Sequence, residues 1–425
     1  MKKQIAVGLD IGTTKISVIV GTKNEFGKIE ILGIGKTKST GVMRGIVANI
    51  DQTTAAIIEA KTQAEDQTNQ ADEKQIKIDF VNIGIAGQHI RSLQNRGQMV
   101  REDVKDPISD IDLKKLKDDV YKLVMTPGEE IIHVIPQEYI VDSQIEVVEP
   151  KGITGTKLEA NFHVITGQVA AIQNIKTCVN NSSLKVQNLT LEPLASAEAV
   201  LDKEEIDAGV VLVDIGGGTT DVAIYKDNVI RHTAVIPFGG NVITGDIRDG
   251  CGILDRQAEQ LKKQYGSALA ELCKDNESVV VRGLRNQEAK HISFKILAGI
   301  IECRMKEIFS LVKHEINNSG YSGKLIGGVV LTGGGSQLKN IQHLAKLEFG
   351  TAVRIGYPDE HLSKESKVKV NNPIYSTAIG LVMKAFDDTQ NTIDQENTER
   401  ETNQLSDFFK KFTDKIESLL KDDTN

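Results

Sequence analysis

The sequence predicts an α/β protein with two linked domains, a smaller inserted domain and a C-terminal amphipathic helix. The chain has 425 residues, whereas a single hydrophobic core usually stops growing near ~250 to 300 residues, so two or more domains are expected. An aspartate- and glycine-containing hairpin also occurs twice, as "GLDIGTTKISVIV" at 8–20 and "LVDIGGGTTDVAIY" at 212–225. Strand and helix patterns alternate around both copies, which is typical of layered α/β domains.

The first half begins with a predicted antiparallel meander. Residues 4–39 alternate short β-branched runs with glycine turns, which indicates three strands. A helix is predicted over 49–64 and a further strand over 76–87. The pattern then changes: the helical "DIDLKKLKDDVYKLV" is followed by the strand-like "EEIIHVIPQEYIVD" and a glycine-rich stretch. We interpret residues 84–162 as an inserted small domain.

The second hairpin opens another α/β unit. Residues 235–298 are predicted to be helical and interrupted by glycines, and residues 327–350 predict a strand, a glycine turn and a helix. The expected division is a first core (1–83, 163–195 and 372–386), the insert (84–162), a second core (196–234 and 299–371) and a small subdomain (235–298).

The C-terminal segment has two parts of different composition. Residues 387–404 hold six acidic residues and one large apolar residue, Ile393, so they predict a disordered linker. Residues 405–421 predict a helix whose apolar side chains share an arc of roughly 120° at about 100° per residue. These side chains are Leu405, Phe408, Phe409, Phe412, Ile416, Leu419 and Leu420. Such a helix usually packs on its own domain, but the polar linker favours binding to a membrane surface.

Composition excludes several classes of function. The formal net charge of -8 argues against nucleic-acid binding, which requires a clustered basic surface. The four cysteines are widely spaced, so neither a zinc cluster nor a disulfide framework is expected. Asp10 interrupts the N-terminal apolar run, so no export signal is predicted. We find no apolar stretch approaching the ~20 residues that span a bilayer.

The repeated hairpin suggests a phosphate-binding device. When the two copies are aligned by residue identity, Asp10 pairs with Asp214 and Gly12 pairs with Gly216. In this alignment the second copy has two extra glycines before its threonines. Glycine turns let backbone N–H groups approach phosphate oxygens, and threonine hydroxyls add donors. The expected phosphate-binding residues are Gly12, Thr13, Thr14 and Lys15 in the first copy, and Gly216, Gly217, Gly218, Thr219 and Thr220 in the second.

The two strand-end aspartates, Asp10 and Asp214, require a cation beside phosphates, and Mg²⁺ held through waters meets that need. One such hairpin is more often an ordinary turn, whereas two copies favour a clamp on the β and γ phosphates of a nucleotide. A third glycine cluster, Gly333, Gly334 and Gly335, follows a predicted strand and would let a base or sugar lie against backbone.

Other nucleotide and hydrolase motifs are missing. "GIGKTKS" at 33–39 resembles a P-loop, but Glu30 stands where that motif needs its first glycine. The chain has no HExxH, no GxSxG, and no GxGxxG between a strand and a helix.

Five motifs in order resemble those of the actin-like ATPases, whose fold is a pair of duplicated ribonuclease-H-like cores. They are "DIGTTK", "LTLEPLASAEAVL", "VDIGGGTTDVAIY", "VVLTGGGSQLKNI" and "NPIYSTAIGLV". This resemblance implies ATP and Mg²⁺ as ligands. It also implies nucleotide contacts from Gly239, Gly240 and Asn241 in "IPFGGNVITGDI" and from Glu259 and Lys262, which point to the ribose and base. Glu192 would orient the attacking water, with slow hydrolysis at most.

Within that superfamily, residues 5–385 resemble the FtsA family of bacterial cell-division proteins. The insert, with "HVIPQEYIVD" and "GTKLEANFHVITG", and the linker ending in an amphipathic helix carry the likeness. It implies a peripheral protein on the cytoplasmic face of the membrane at the division site, which self-associates into filaments and meets other division proteins. It would tether the tubulin-like FtsZ, whose acidic C-terminal peptide could meet Arg282 and Arg285. A sugar kinase and a pilus-assembly actin homologue are the alternatives.

Overall fold

Two five-stranded sheets form the two halves of the molecule in the computed structural model, which describes residues 4–71, 76–102, 105–142, 144–147, 149–283 and 288–387. The strands are β1 (Ile5–Ile11), β2 (Lys15–Lys23), β3 (Ile29–Lys38), β4 (Val42–Met43), β5 (Ile46–Val47), β6 (Phe80–Ile85), β7 (Ile90–Val100), β8 (Glu129–Val141), β9 (Gln144–Val147), β10 (Lys157–Gln168), β11 (Lys185–Leu191), β12 (Val210–Ile215), β13 (Thr220–Lys226), β14 (Val229–Ile236), β15 (Ser278–Val281), β16 (Lys290–Ser293), β17 (Gly328–Thr332) and β18 (Val353–Ile355).

Helices connect and cover these strands. They are α1 (Ile50–Ala71), α2 (Asp110–Tyr121), α3 (Val169–Asn181), α4 (Glu192–Val200), α5 (Lys203–Ala208), α6 (Gly240–Cys251), α7 (Asp255–Tyr265), α8 (Phe294–Asn318), α9 (Ile341–Phe349), α10 (Lys364–Val370) and α11 at 376–387, with 3-10 turns η1 (Gly334–Gln337) and η2 (Pro373–Tyr375).

The two sheets have the same topology. The first has the order β3-β2-β1-β6-β11 and the second the order β14-β13-β12-β17-β18. In each, a three-stranded antiparallel meander is extended by two strands parallel to the first strand of the meander. The predicted meander and the internal repeat are therefore confirmed, and the duplicated hairpins occupy equivalent places in the two sheets.

A shared core joins the two halves. It combines Ala6 and Ile19 of the first sheet with Leu212 and Ala223 of the second. Helices α4 and α11 cross between the sheets so closely that a β-carbon at Gly380 would lie 1.7 Å from the Ala195 carbonyl oxygen. The floor of the cleft between the hairpins is therefore formed by two closely packed helices.

The inserted domain is a sheet of order β7-β10-β8-β9 with α2 packed on one face. Phe162 and Leu116 are buried in its core. Strand β10 continues through residue 162 into α3, so the sequence-based boundary at 162 falls inside a strand. We keep the division into two cores, an insert and a small subdomain as a proposal.

The small subdomain of the second half is not entirely helical. It contains α6, α7 and the start of α8, as expected, but also a two-stranded hairpin of β15 and β16. The prediction of a helical segment over 235–298 was wrong there. The run Ser278–Val281 is rich in valine, and β-branched residues favour strands.

Some predicted features lie outside the described residues. These are Arg285, residues 388–404 of the linker, and the whole amphipathic segment 405–421. Of the helices that the structure does describe, none is both long and apolar enough to cross a membrane.

Candidate functional site

The two hairpins close with equivalent backbone hydrogen bonds. The Gly12 N–H donates to the Lys15 carbonyl at 3.0 Å, and the Gly216 N–H donates to the Thr219 carbonyl at 2.9 Å. Both turns therefore have the same length, and the letter-based alignment with two extra glycines was wrong. The strand pairing makes Gly217 equivalent to Thr13 and Gly218 equivalent to Thr14. Strand register, and not residue identity, decides which residues of the two hairpins are equivalent.

The two turns lie against each other. A β-carbon at Gly217 would be 2.2 Å from Thr14 Cγ2, and one at Gly218 would be 2.5 Å from Thr13 Oγ1. Any side chain at these glycines would collide with a threonine of the other half. The predicted apposition of the hairpins is thus present, and only glycine permits it.

Asp10 and Lys15 form an ion pair at the first hairpin. Asp10 is buried, and Lys15 Nζ donates to its carboxylate and to Ser17 Oγ at 3.2 Å. Ser17 Oγ also donates to Asp10 Oδ2 at 3.3 Å. The positive charge predicted from Lys15 therefore lies at the strand end, beside the carboxylate that was expected to face a cation.

The second hairpin carries two buried carboxylates. Ser196 Oγ donates to Asp214 Oδ2 at 2.7 Å. Asp221 lies directly opposite Asp214 across β12 and β13, and its Oδ1 has no hydrogen-bond partner within the described residues. Burial raises the pKa of Asp221 to about 8, with the Asp214 charge adding to the effect. Burial also raises the pKa of Asp214, as does the Asp10 charge.

Sequence reasoning missed Asp221. The signal was available, because Asp221 ends the same "DIGGGTTD" segment that supplied the other predicted residues. In an antiparallel pair, residues directly opposite share a face of the sheet. The hairpin register would therefore have placed Asp221 next to Asp214.

Glu192 is the first residue of α4 and points into the same cleft. A β-carbon at Gly84 would lie 2.8 Å from Glu192 Cγ, so Gly84 on β6 makes room for the glutamate. Burial raises the pKa of Glu192 well above its usual value, and the Asp10, Asp221 and Asp214 charges raise it further. The structure thus brings Glu192 together with the hairpin carboxylates.

The N-terminus of α6 covers the second hairpin. The Gly240 N–H donates to the Gly216 carbonyl at 2.9 Å, and the Asn241 N–H donates to the Gly217 carbonyl at 2.8 Å. A β-carbon at Gly239 would lie 2.7 Å from the Gly216 carbonyl oxygen. Gly239, Gly240 and Asn241 therefore all border the turn of the second hairpin.

Glu259 and Lys262 continue the same surface from α7. Lys262 Nζ lies 2.7 Å from Glu259 Oε2 and donates to the Gly240 carbonyl at 2.7 Å. Burial lowers the pKa of Lys262, although the Glu259 carboxylate opposes this shift. The pair is therefore anchored to the start of α6, next to the second hairpin.

The third glycine cluster lies under Asp214. Gly333 has φ 80°, and a β-carbon there would be 2.2 Å from Asp214 Oδ1. A β-carbon at Gly335 would be 2.3 Å from Ile215 Cγ2, whereas Gly334 has only Ile374 at 3.8 Å. Of the three glycines, Gly334 therefore has the most space around the position of a β-carbon.

The donor set fits a magnesium ion held mainly through water. Within the described part of the chain, no three His, Cys, Asp or Glu residues converge as a direct metal cage. Asp221 Oδ1 is buried beside Asp214, has no hydrogen-bond partner among the described residues, and could therefore serve as an oxygen donor to the ion. Hard oxygen donors with few direct ligands are what Mg²⁺ prefers when phosphates complete its shell.

Arg282 lies outside this cluster. It follows β15, is exposed, and offers its carbonyl to Gln257 Nε2 at 2.9 Å.

Comparison with known proteins identifies the family. The family model "Cell division protein FtsA" matches residues 211–380, and "SHS2 domain inserted in FTSA" matches residues 87–166. The cell division protein FtsA of Pseudomonas aeruginosa is 39% identical over 380 residues, which cover 89% of each chain. The chain belongs to the FtsA family.

FtsA family membership agrees with the actin-like fold. The PilM of a PilM-PilN type IV pilus biogenesis complex resembles this chain with a TM-score of 0.64 at 15% identity, covering 89% of this chain and 98% of the other. MreB 5 of Spiroplasma citri, solved bound to AMPPNP, resembles it with a TM-score of 0.51 at 14% identity, covering 93% and 100%. At these identities the likeness establishes the fold alone. Membership of the FtsA family favours neither a sugar kinase nor a pilus-assembly homologue, which were the alternatives.

Proposed function

We propose that this FtsA-family protein binds ATP with Mg²⁺ in the cleft between the two hairpins. The observation that carries the proposal is the contact of two equivalent glycine turns, each flanked by a buried aspartate. In this proposal, the backbone N–H groups of Thr13, Thr14, Gly217 and Gly218 would donate to phosphate oxygens. The structural neighbour MreB 5 was solved bound to AMPPNP, which supports nucleotide binding by a protein of this fold.

The surrounding residues have distinct roles in this proposal. Asp10, Asp214 and Asp221 would hold the hydrated Mg²⁺, which neutralises phosphate charge when it is bound. Lys15 would exchange its contact with Asp10 for one with phosphate. Glu259 and Lys262 would border the ribose, and Gly334 would lie beneath the nucleoside.

Hydrolysis, where it occurs, is assigned to Glu192. A carboxylate at the cleft floor can orient a water molecule for in-line attack on a γ-phosphate. The raised pKa of Glu192 follows from burial beside three other carboxylates. We propose slow turnover at most.

We propose that the protein tethers FtsZ to the cytoplasmic face of the membrane at the division site. Membership of the FtsA family supports this role. The apolar face of the 405–421 helix would enter the acyl boundary while lysines stay at its edge. The charges on this segment nearly cancel, so apolar insertion would supply most of the affinity.

The small subdomain is the proposed FtsZ contact. A groove of 490 Å³ lies along α6 and α8, lined by Asp246, Ile296, Gly299, Ile300, Cys303, Arg304 and Glu307. An apolar floor with charged borders suits a short extended peptide. Arg282 and Arg285 would attract acidic residues of that peptide.

Self-association is assigned in part to the insert. Ile111 and Val124 are exposed there, with Val124 98% accessible. Exposed apolar side chains on the insert suit contacts with a second copy. Other division proteins would meet the resulting filament.

Liposome flotation with purified FtsZ tests the tether. FtsZ should float only when the full-length chain is present, and Arg282→Ala should weaken recruitment several-fold without changing flotation of the chain itself. Lys364→Ala, at an exposed site on α10, serves as the charge-matched control. FtsZ that fails to float with the full-length chain would contradict the tethering role.

A further inference from the structure

Strand β8 of the insert contacts both halves of the molecule. It carries the "HVIPQEY" segment, to which neither the clamp nor the membrane helix assigns a role. From this strand, His133 reaches the first half and Gln137 reaches the second. These contacts connect the insert to β11 of the first half and to β14 of the second half, which are here called the two walls of the cleft.

His133 bonds to the backbone beside Glu192. The Leu191 N–H donates to His133 Nε2 at 3.1 Å. Leu191 is the N-cap of α4, and its side chain provides no cap hydrogen bond. The amide of a helix N-cap requires an acceptor when it is buried. The insert therefore supplies the acceptor that fixes the residue immediately before Glu192.

The protonation state of His133 suits this role. Burial lowers the pKa of His133 to about 4, and the Lys384 and Lys117 charges lower it further. The ring is thus neutral near pH 7. Because a backbone N–H can only donate, Nε2 is the unprotonated nitrogen.

The second half is bound through β14. Gln137 Nε2 donates to the Ile230 carbonyl at 2.6 Å, and Arg231 Nη1 donates to Glu138 Oε1 at 2.6 Å. Strand β14 leads directly to Phe238, whose carbonyl accepts from Thr220 Oγ1 at 2.8 Å. A shift of β14 against β8 would therefore move the segment that covers the second hairpin.

We propose that His133 is a positioning residue for Glu192, and that β8 thereby couples the inserted domain to the nucleotide cleft. This inference rests on the proposed ATP site. A partner that binds the insert would change the affinity of the cleft for nucleotide, and nucleotide would change the affinity of the insert for that partner by the same factor. The coupling needs only one strand that contacts both walls.

Three full-length variants test the positioning role. His133→Leu removes the acceptor, His133→Gln retains an acceptor oxygen, and His343→Leu makes the same change at an exposed histidine on α9. His133→Leu should speed amide exchange at Leu191 and lower kcat for ATP, each about 10-fold, with KM changed less than about 3-fold. His133→Gln should restore both quantities, and His343→Leu should match the wild type.

The wild-type chain provides a second readout that does not depend on how a variant folds. Saturating Mg-ATP should slow amide exchange at Leu191 and along β8, measured by mass spectrometry. Slowed exchange at the hairpins with unchanged exchange along β8 would overturn the coupling alone. A folded His133→Leu chain with wild-type kcat would also overturn it. Absence of any ATP binding by the wild type would overturn the proposed function and the coupling with it.

Discussion

Gly218 and Thr13 belong to different halves of the molecule, yet a β-carbon at Gly218 would lie 2.5 Å from Thr13 Oγ1. The contact between the halves therefore requires glycine at this position, whereas the equivalent position of the first turn holds Thr14. The contact between the two turns depends on the absence of side chains at both Gly217 and Gly218.

Gly218→Val should lower the affinity for Mg-ATP at least about 10-fold, because the valine would separate the two turns and their N–H groups. Gly245→Ala is the control, since no described residue beyond the adjacent backbone of its own helix lies within 4 Å of a β-carbon at that glycine. The control should bind normally and gain about 0.5 to 1 kcal/mol in stability. Titration with a fluorescent ATP analogue measures both variants, and normal binding by Gly218→Val would contradict the closed arrangement.

Glu192→Gln should reduce ATP turnover about 10-fold or more while leaving ATP affinity within about 3-fold, because the amide keeps the shape but cannot accept a proton from the attacking water. Gly84→Ala should act in the same direction, since its methyl group would displace the Glu192 side chain. Single-turnover phosphate release provides the measurement. Turnover unchanged in both variants would remove Glu192 from the chemistry.

Acid should weaken the contact between the insert and the second half. His163 on β10 contacts Thr233 Oγ1 at 2.9 Å, and burial lowers the pKa of His163 to about 4. Between about pH 6.5 and 4 the unfolded chain binds this proton and the folded chain does not, so stability falls as the pH falls. The contribution is at most about 3 kcal/mol.

Urea unfolding at pH 7 and pH 5 tests this loss. His163→Gln should lose less stability between the two pH values than the wild type does. His343→Gln, at an exposed site, controls for removal of an imidazole. Equal losses in His163→Gln and the wild type would show that His163 does not contribute.

Removal of residues 405–425 should abolish binding to liposomes, because the apolar face of the predicted helix supplies most of the affinity. Phe408→Asp should weaken co-sedimentation strongly, whereas Ser418→Asp adds the same charge on the polar face and should have little effect. Undiminished co-sedimentation of the truncated chain would place the membrane contact elsewhere.

The duplicated core was predictable because its signals are local. The two hairpin segments each contain a strand, a glycine turn and a strand, so their residues Asp10 and Asp214 could be matched from letters alone. The β15 and β16 hairpin was missed because its strands have only four residues each. Short strands surrounded by helical patterns give a weak periodic signal.

The remaining site residues depend on tertiary contacts. Asp221 becomes important only because strand register sets it opposite Asp214. His133 and Leu191 are 58 residues apart in sequence and meet only when the insert docks on the first half. No local spacing indicates such a contact, so it required the structure.

Calorimetric titration of Mg-ATP into Asp214→Ala tests the clamp most directly. We expect affinity at least about 10-fold below that of the wild type, since a buried carboxylate beside the second turn is lost, while liposome binding through the C-terminal helix stays unchanged. Wild-type affinity in a folded Asp214→Ala chain would contradict the clamp.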